Sequence, residues 1–446
     1  MEINPPLAEG GRDSDAAQPA LSGQPLGNVA NQPAMPGPAA AIPQVANDRV
    51  EQVPQLKRLK CVQLTSVHPV FDTRIFVKQC RSLVEAGCDV VLIAVHERDE
   101  IVDQVQIRSV PRCRSRVRRV LKTLPRLFRR ALQEAGDVYH FHDPELIPIG
   151  LLLKLFGKTV VYDVHEDYPR AVLIKPWLPR PIRRVVSTLV AGVELCAGLC
   201  FDGIVAATGT IGGRFPARKT LVVQNYPRMD EFCDPQASPP MQERGANAAY
   251  VGAISVERGI REMVDAMQLV GDSVDAQLTI AGKFSEPDVE RGVQRQAGWS
   301  HVEHLGWCSR SQVQEVLNRA RVGLVTLYPT PSYVVSNPVK LYEYMAAGLP
   351  VVASDFPMWR DVVSQADCGI LVDPLKPQEI AEAVIWLLEN PLEAERMGQR
   401  GRQAVQSRLN WGRESLKLCH LYARLSGLET SSNNGMVEPV VSQRAA

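Results

Sequence analysis

Short apolar runs alternate with segments of helical spacing through the first half of the chain. The run CVQLTSV (residues 61–67) predicts a strand, and residues 73–86 then repeat apolar side chains at helical spacing until Gly87 closes the segment. A second strand, DVVLIAV (89–95), follows at once. The same alternation continues to residue 226, and it is typical of a parallel sheet with helices on both faces.

A Pro-rich stretch, DPQASPPMQERGAN, interrupts this alternation and predicts a linker over 227–247. A second series of the same kind begins after it. Its helices are predicted at 259–270, 285–297, 311–319 and 339–347, and its strands are AAYVGAI, AQLTIAG, VEHLGW, VGLVTL and PVVAS. The predicted fold class is therefore α/β, with two doubly wound Rossmann-like domains over 56–226 and 248–405.

The C-terminal part of the chain has helical spacing. A helix is predicted at 377–389, and an amphipathic helical segment covers 392–425. The last helix, 406–426, is expected to pack back on the first domain, and residues 427–446 to form a tail.

The first 55 residues have a different composition from the rest. They are rich in Ala, Pro, Gly, Gln and Asn and poor in aromatic and β-branched residues, so we expect a disordered arm over 1–55. The arm contains Asp13 and Asp15 at the spacing of a metal-binding D-x-D. A structureless segment does not hold a metal in fixed geometry, so no metal site is predicted there.

Composition excludes several classes of partner. The 446 residues are 45% apolar and 22% charged, and 50 Lys and Arg nearly cancel 49 Asp and Glu, so neither a nucleic acid nor an acidic partner is indicated. Ten cysteines occur without a C-x-x-C pair, as expected for reduced thiols in a cytoplasm. The N-terminus lacks signal-peptide features, and no apolar run of eighteen residues occurs. A soluble or peripheral protein is expected.

The stretch SNPVKLYEYMAAGLPVVASD (336–355) has the features of a phosphate-binding helix. Ser336 or Asn337 can cap the helix, Pro338 suits its first turn, and Gly348 ends it before a strand. The helix then begins at the carboxyl end of strand VGLVTL, where an open α/β sheet binds phosphates through free backbone amides and the helix dipole.

Two charged residues of this helix are candidates for nucleotide contacts. Lys340, in the first turn, can add a full charge to a bound diphosphate, and Glu343 can accept hydrogen bonds from both ribose hydroxyls. The alternative is an ordinary amphipathic helix whose Lys and Glu are merely solvated.

The motif KLYEYMAAGLPVVAS (340–354) resembles the donor-site signature of group 1 glycosyltransferases, glycosyltransferase family 4. The resemblance covers about residues 60–425 and includes GILVDP at 369–374. It implies the GT-B fold, in which two Rossmann-like domains face each other across a cleft. It also implies a UDP- or GDP-sugar as donor and transfer with retention of configuration, without metal or cofactor. Glu343 would then bind the ribose, with Asn337 and Leu341 also at the donor.

The chain departs from the family pattern at two positions. Val335 stands where the family often has another acidic residue, and Ala253 stands where an Arg helps to clamp the diphosphate. Arg258, just before Gly259, takes the place of the family's second cation, and its planar fork can bind two phosphate oxygens. Lys283 is either a further donor contact or a surface lysine.

The first domain has two polar segments at predicted strand ends, HFHDPE (140–145) and YDVHEDYP (162–169). His165 resembles the family's catalytic-region histidine, which contacts the transferred sugar, and Glu166 is its candidate helper or an acceptor ligand. His142 and Asp143 are candidates for shaping the acceptor pocket. The alternative is that these histidines are core residues whose hydrogen bonds are made within the protein.

The loop SVHPVFDTRIF (66–76) corresponds to the family's first strand-to-helix loop, which closes near the donor phosphates and the acceptor. Asp72 and Arg74 are its candidate functional residues. A simple Asp–Arg surface pair is the alternative.

Residues 112–132, RCRSRVRRVLKTLPRLFRRAL, carry nine Lys or Arg and no acid. Apolar residues recur at helical spacing, although Pro125 must break or restart the helix. The segment predicts a contact with an anionic membrane surface. Without interleaved aromatic residues it does not predict nucleic-acid binding, and an ordinary solvated helix is the alternative.

Together these features predict a retaining glycosyltransferase. The basic segment and the resemblance to this family indicate a lipid-linked saccharide acceptor. They also indicate a role in bacterial surface polysaccharide assembly and a location on the inner face of the membrane. Two alternatives stay open. A sugar-nucleotide epimerase of the same fold would turn over the donor without an acceptor, and a non-catalytic scaffold would bind the nucleotide and transfer nothing.

Overall fold

The computed structural model describes most of the chain beyond the predicted arm. All described residues belong to the unit that begins at Glu51. They are residues 54–113, 115, 119–173, 178–232 and 239–428. The predicted arm and tail therefore lie almost entirely outside the described residues, as do Asp13 and Asp15.

An eight-stranded sheet forms the first domain, in the order β3-β4-β2-β1-β5-β6-β7-β8. Its neighbouring strands are parallel except β3, which runs antiparallel to β4. Its strands are β1 (Lys60–Leu64), β2 (Asp89–Val95), β3 (Glu100–Val102), β4 (Val105–Val110), β5 (Val138–Phe141), β6 (Thr159–Val164), β7 (Gly203–Ala206) and β8 (Thr220–Val222). The central strands are almost continuously buried because helices cover both faces.

Helices connect these strands. Asp72 begins the first of them by accepting hydrogen bonds from the amides of Arg74 (2.8 Å) and Ile75 (3.0 Å), and the first eight residues are π-helical. The helices of the first domain are Thr73–Cys80 (π), Arg81–Glu85, Arg119–Thr123 (π), Leu124–Gln133, Ile147–Leu155, Tyr168–Leu173, Arg180–Cys200 and Gly209–Gly212, with short 3-10 turns at Pro144–Leu146, Ala217–Lys219 and Met229–Glu231.

A six-stranded, wholly parallel sheet forms the second domain, in the order β11-β10-β9-β12-β13-β14. Its strands are β9 (Asn247–Val251), β10 (Gln277–Ala281), β11 (Val302–Gly306), β12 (Val322–Val325), β13 (Val351–Ser354) and β14 (Gly369–Val372). Its α-helices are Ile260–Gly271, Pro287–Val293, Arg310–Arg319, Val339–Ala346, Pro357–Ala366, Pro377–Glu389 and Pro391–Ser407, with 3-10 turns at Met241–Glu243, Val256–Arg258 and Ala297–His301.

Each sheet has one point at which the chain order reverses direction. In the first sheet this point lies between β1 and β5, and in the second between β9 and β12. The loops that leave the carboxyl ends of adjacent strands separate there and open a crevice, which is where open α/β sheets bind ligands. The polar segments singled out in the sequence follow β1, β5, β6, β9 and β12.

The last helix, Trp411–Leu425, packs in the core of the first domain. Asn410 caps it by accepting a hydrogen bond from the Arg413 amide, and the indole of Trp411 donates to Ser82 Oγ at 2.8 Å. The predicted segment 392–425 is thus two helices, since Pro391–Ser407 stays with the second domain.

In the described part of the basic segment 112–132, Leu124 and Leu127 pack within the protein. Pro125 lies in the first turn of the helix Leu124–Gln133, so the helix restarts there. Leu124 and Leu127 are buried in the core that covers one face of the first sheet, while Leu121 is 69% exposed. The prediction of a membrane-facing apolar stripe is therefore wrong for Leu124 and Leu127. Val117 lies outside the described residues.

Candidate active site between the two sheets

A cleft of about 500 Å³ lies between the two domains and is lined by both. It brings together six of the residues proposed from the sequence: Asp72, Arg74, His165, Glu166, Arg258 and Asn337. The other proposed residues, His142, Asp143, Gly259, Lys283, Lys340, Leu341 and Glu343, are not among those that line it. Several of these lie just behind the lining.

Lys340 carries a buried amine at the start of the helix Val339–Ala346. Its side chain lies over the ring of Tyr250, with Nζ 3.5 Å from the ring centroid, and among the described residues no acceptor bonds to Nζ. Burial and the neighbouring Arg258 guanidinium lower the pKa of Lys340 well below its ordinary value. An unpaired buried cation is costly, and an anion placed beside it would remove that cost.

Arg258 and Lys340 converge on Gly252. A Cβ built on Gly252 would lie 3.2 Å from Lys340 Nζ and 3.7 Å from an Arg258 nitrogen, and the backbone there has a φ of +125°. The absence of a side chain at Gly252 therefore leaves room between the carboxyl end of β9 and two cations. Such a space suits a diphosphate.

Gly259 begins the helix Ile260–Gly271 with a φ of +78°. A Cβ there would stand 2.0 Å from the carbonyl oxygen of Thr326, just after β12. The glycine therefore permits the close packing of this helix start. Leu341 is fully buried in the core, and the Lys283 side chain is exposed while its carbonyl accepts a hydrogen bond from the Ile254 amide at 2.9 Å.

Glu343 already has a charged partner. It accepts a hydrogen bond from Arg310 at 2.8 Å, and the same guanidinium pairs with Glu231, within the predicted linker. Glu343 is only 7% exposed, so a ribose that binds this carboxylate must share it with Arg310 or displace that side chain. Arg310 gave no signal in the sequence, since 33 residues separate it from Glu343.

The predicted cap of the helix Val339–Ala346 is wrong. Pro338 occupies the cap position without a side-chain hydrogen bond, because Ser336 Oγ donates to the Tyr333 carbonyl and Asn337 Nδ2 donates to Gln224 of the first domain. No described side chain therefore caps the amides at this helix start, and the Leu341 amide donates to the Pro338 carbonyl at 3.0 Å. Val335 lines the cleft itself.

On the first-domain side, His165 is held by Asp163 at the end of β6. His165 Nε2 lies 3.1 Å from Asp163 Oδ2, and Arg74 binds both oxygens of the same carboxylate at 2.8 and 3.1 Å. Burial alone would raise the pKa of Asp163, but Arg74 and His165 hold it well below its ordinary value. Asp163 therefore stays a carboxylate. The alternative of an Asp72–Arg74 surface pair is wrong.

Contacts behind His165 involve one of its two ring nitrogens. His142 Nε2 lies 2.8 Å from Gln63 Oε1, and His142 Nδ1 lies 3.3 Å from Asp163 Oδ2. Burial lowers the pKa of His142, which keeps this ring neutral. His165 Nε2 lies 3.2 Å from His142 Nδ1, so it is engaged with both His142 and Asp163. His165 Nδ1 takes part in neither contact, and the side chain lines the cleft.

The same network reaches the last helix. Gln63 Nε2 donates to the hydroxyl of Tyr422 at 2.8 Å, and that hydroxyl lies 2.8 Å from His140 Nδ1. The sequence pointed to His142 and His165 but not to Gln63, Asp163 or Tyr422. Gln63 and Tyr422 lie inside apolar segments, and Asp163 lies in the polar segment 162–169, where no neighbour in sequence indicates its role.

Asp72 and Asp143 hold the loop that follows β1. Asp143 accepts hydrogen bonds from the Ser66 amide at 2.6 Å and from Thr65 Oγ1 at 2.9 Å, and His68 lies between the two carboxylates at 3.6 and 3.4 Å. Burial opposes the charge on His68, but Asp72 and Asp143 raise its pKa above the ordinary value. The loop thus presents a cation-prone His68 to the cleft.

Three buried residues have ligand atoms close enough to surround a metal ion: His140, His142 and Asp163. The Arg74 guanidinium already binds both Asp163 oxygens, and Gln79 Nε2 adds a third donor at 2.5 Å. The positive charge of the Arg74 guanidinium, so close to Asp163, disfavours a metal cation among these three residues. The trio fits a hydrogen-bond network and does not fit a metal.

Asp163→Asn is expected to destabilise the fold by about 3–5 kcal/mol, because it leaves the buried Arg74 uncompensated. The depressed pKa of Asp163 contributes stability above the pKa of an unfolded aspartate and loses it as the pH falls through the folded value. The free energy of unfolding of the parent should therefore fall below about pH 4. The variant should lack this part of the pH dependence. Urea unfolding at several pH values measures both effects.

The control for that experiment is Asp355→Asn, which removes an exposed pair with Arg360 and should change stability little. Equal midpoints for Asp163→Asn and Asp355→Asn would contradict the role given to Asp163.

Two family models match the chain. The model for glycosyl transferases group 1 matches residues 236–404, and the model for a glycosyl transferase 4-like domain matches residues 73–225. Together they cover the whole second sheet and every strand of the first except β1.

The chain is similar to known proteins over much of its length. It is 25% identical over 297 residues to the phosphatidyl-myo-inositol mannosyltransferase of Mycobacterium leprae, covering 64% of this chain and 73% of the relative. The sucrose-phosphate synthase of Thermosynechococcus elongatus superposes with a TM-score of 0.65 at 19% identity, over 83% of this chain and 100% of the other. Anabaena HepE, solved with UDP-glucose, gives 0.62 at 13% identity over 83% and 100%.

The fold of these solved structures agrees with the two doubly wound sheets, and the two models agree with the signature that the sequence carries in 340–354. The predicted GT-B fold and the predicted family are confirmed. This chain is a group 1 glycosyltransferase of glycosyltransferase family 4.

Proposed function

We propose that this glycosyltransferase transfers a hexose from a UDP- or GDP-sugar, with retention of configuration and without metal, to a lipid-linked saccharide acceptor. The observation that carries the proposal is the buried Lys340 amine, which lacks an acceptor among the described residues and lies beside Arg258 at Gly252. Two converged cations and a helix start form a site for a diphosphate.

The leaving nucleoside diphosphate develops the charge that must be stabilised. Lys340, Arg258 and the amides at the start of Val339–Ala346 are fixed around one point, so they stabilise that charge without reorganising. Because burial and Arg258 depress the pKa of Lys340 in the free protein, a bound diphosphate should raise it again. Donor binding should then take up protons between the depressed pKa of Lys340 in the free protein and its raised pKa in the complex.

The acceptor belongs on the first-domain side of the cleft. His165 offers Nδ1 to a sugar hydroxyl, and Glu166 beside it is exposed. One relative is named a phosphatidyl-myo-inositol mannosyltransferase, which supports a lipid-linked acceptor. HepE was solved with UDP-glucose, which supports a nucleotide-sugar donor. Bacterial surface polysaccharide assembly at the inner face of the membrane is the setting that we propose.

Transfer is expected to persist in excess EDTA, because protein cations neutralise the diphosphate. The assay follows UDP or GDP release from a panel of nucleotide sugars with lipid-linked saccharide acceptors, and NMR of the product gives the anomeric configuration. Loss of activity in EDTA with rescue by Mg²⁺ or Mn²⁺ would contradict metal independence, and an inverted product would contradict retention. Donor turnover without acceptor would support the epimerase, and binding without turnover the scaffold.

A further inference from the structure

Two helices of the first domain expose much aliphatic surface. In the helix Arg180–Cys200, Val185, Leu189 and Val193 are 60%, 63% and 55% exposed, and they follow one another at helical spacing. Nine large side chains at least 41% exposed form this surface, the aliphatic face: Leu152, Leu155, Phe156, Ile182, Val185, Leu189, Val193, Leu195 and Leu199. A contiguous face of this kind marks an interaction site.

A shallow groove of about 430 Å³ runs along the aliphatic face. Its lining contains no charged side chain: Ile147, Leu151, Thr188, Leu189, Gly192, Val193, Cys196, Ala197 and Cys200. The groove adds concave apolar surface between the two helices.

The helices of the aliphatic face carry exposed charge of one sign, although Asp202, just after the long helix Arg180–Cys200, is half-buried and pairs with Lys154 at 2.8 Å. The helices Leu124–Gln133, Ile147–Leu155 and Arg180–Cys200 contain a single acid, Glu194, which is 1% exposed and pairs with Arg214. Exposed cations lie at both sides of the aliphatic face. They are Arg180 and Arg184 at the start of the long helix, and Arg126 and Arg129 on the helix Leu124–Gln133. Phe128 of that helix packs against Phe156, with ring centroids 6.0 Å apart.

We propose that the aliphatic face docks on an anionic lipid bilayer, with the helix Arg180–Cys200 lying in the plane of the interface. Aliphatic side chains beside arginines, without an exposed acid on these helices, suit acyl chains and lipid phosphates. A second copy is disfavoured, because it offers the arginines of this face no exposed acid on the same three helices. None of the described helices is long and apolar enough to cross a membrane.

The docked face adjoins the acceptor side of the cleft. Ser187, on the inner side of the long helix, donates to the Pro169 carbonyl at 2.8 Å, and Ala171 in the same short helix as Pro169 lines the cleft. Docking would place the cleft near the bilayer. The surface itself does not depend on the proposed donor site, although it agrees with a lipid-linked acceptor.

Vesicle sedimentation of the full chain tests the proposal, with vesicles of three parts zwitterionic to one part anionic phospholipid. Leu189→Asp combined with Val193→Asp should weaken binding about 100-fold. Arg180→Gln with Arg184→Gln should weaken it about 10-fold and reduce its salt sensitivity. The matched control, Ile101→Asp with Leu392→Asp, changes residues 69% and 59% exposed elsewhere and should bind as the parent does.

Affinity for UDP should be the same in all these proteins, so failure of the membrane proposal is separate from failure of the donor site. Parent-like vesicle binding by the Leu189/Val193 variant would overturn the proposal. Self-association of the parent without lipid, abolished in that variant, would overturn it in favour of a contact between copies.

Cysteine labelling tests the membrane proposal without any variant. Cys196 and Cys200 are exposed on the long helix, and Cys308 is half-buried in the second domain. Vesicles should slow maleimide modification of Cys196 and Cys200 about 10-fold and leave Cys308 unchanged. Equal rates with and without vesicles would overturn the proposal.

Discussion

Lys340→Ala is expected to weaken UDP binding by about 100-fold and to leave uridine binding almost unchanged. The reason is that Lys340 Nζ is buried beside Arg258 with no acceptor of its own among the described residues, so its favourable partner must be the bound diphosphate. Titration calorimetry with UDP and uridine in parallel measures both affinities.

Two further variants sharpen this test. Lys340→Met keeps an unbranched chain over the Tyr250 ring and removes only the charge, so it should lose as much UDP affinity as the alanine variant does. Lys376→Ala removes an exposed lysine that pairs with Glu379, and it should bind as the parent does. Parent-like UDP affinity in Lys340→Met would show that Lys340 is a packing residue.

His165→Ala is expected to reduce kcat by about 100- to 1,000-fold while the affinity for UDP stays near that of the parent. His165 lines the cleft from the first domain, and its Nε2 is committed to Asp163 and His142, so Nδ1 is placed to hold the transferred sugar. An interaction made mainly in the transition state lowers kcat and kcat/KM together.

Steady-state kinetics separates this outcome from a folding defect when melting curves of His165→Ala and the parent coincide. Unchanged kcat would make His165 a structural residue, and a loss confined to UDP affinity would place it at the donor.

Long apolar runs made most of the fold predictable. Strand β2 is buried on both faces, so residues 90–95 are a continuous hydrophobic run in the sequence. The hairpin of β3 and β4 was missed because its turn is Asp103–Gln104, both with positive φ, and lacks the Asn-Gly or Asp-Gly that usually signals such a turn.

The site was predictable where local sequence decides geometry. The position of Lys340 was predicted from a helix start after a buried strand, and the position of His165 from a predicted strand end. Ion pairs between residues distant in sequence were not predictable, and they change the roles predicted for Arg74 and Glu343. Arg74 binds Asp163, and Arg310 forms an ion pair with Glu343. The aliphatic face was missed because its apolar side chains resemble those of a core helix in sequence, and only packing shows which of them stay outside.

A structure of the chain with UDP tests the central claim most directly. The account predicts the diphosphate at Gly252, within hydrogen-bond distance of Lys340 Nζ and Arg258, and the ribose hydroxyls on Glu343 with Arg310 sharing or leaving that carboxylate. A nucleotide bound elsewhere, with Lys340 Nζ still facing only the Tyr250 ring, would contradict it.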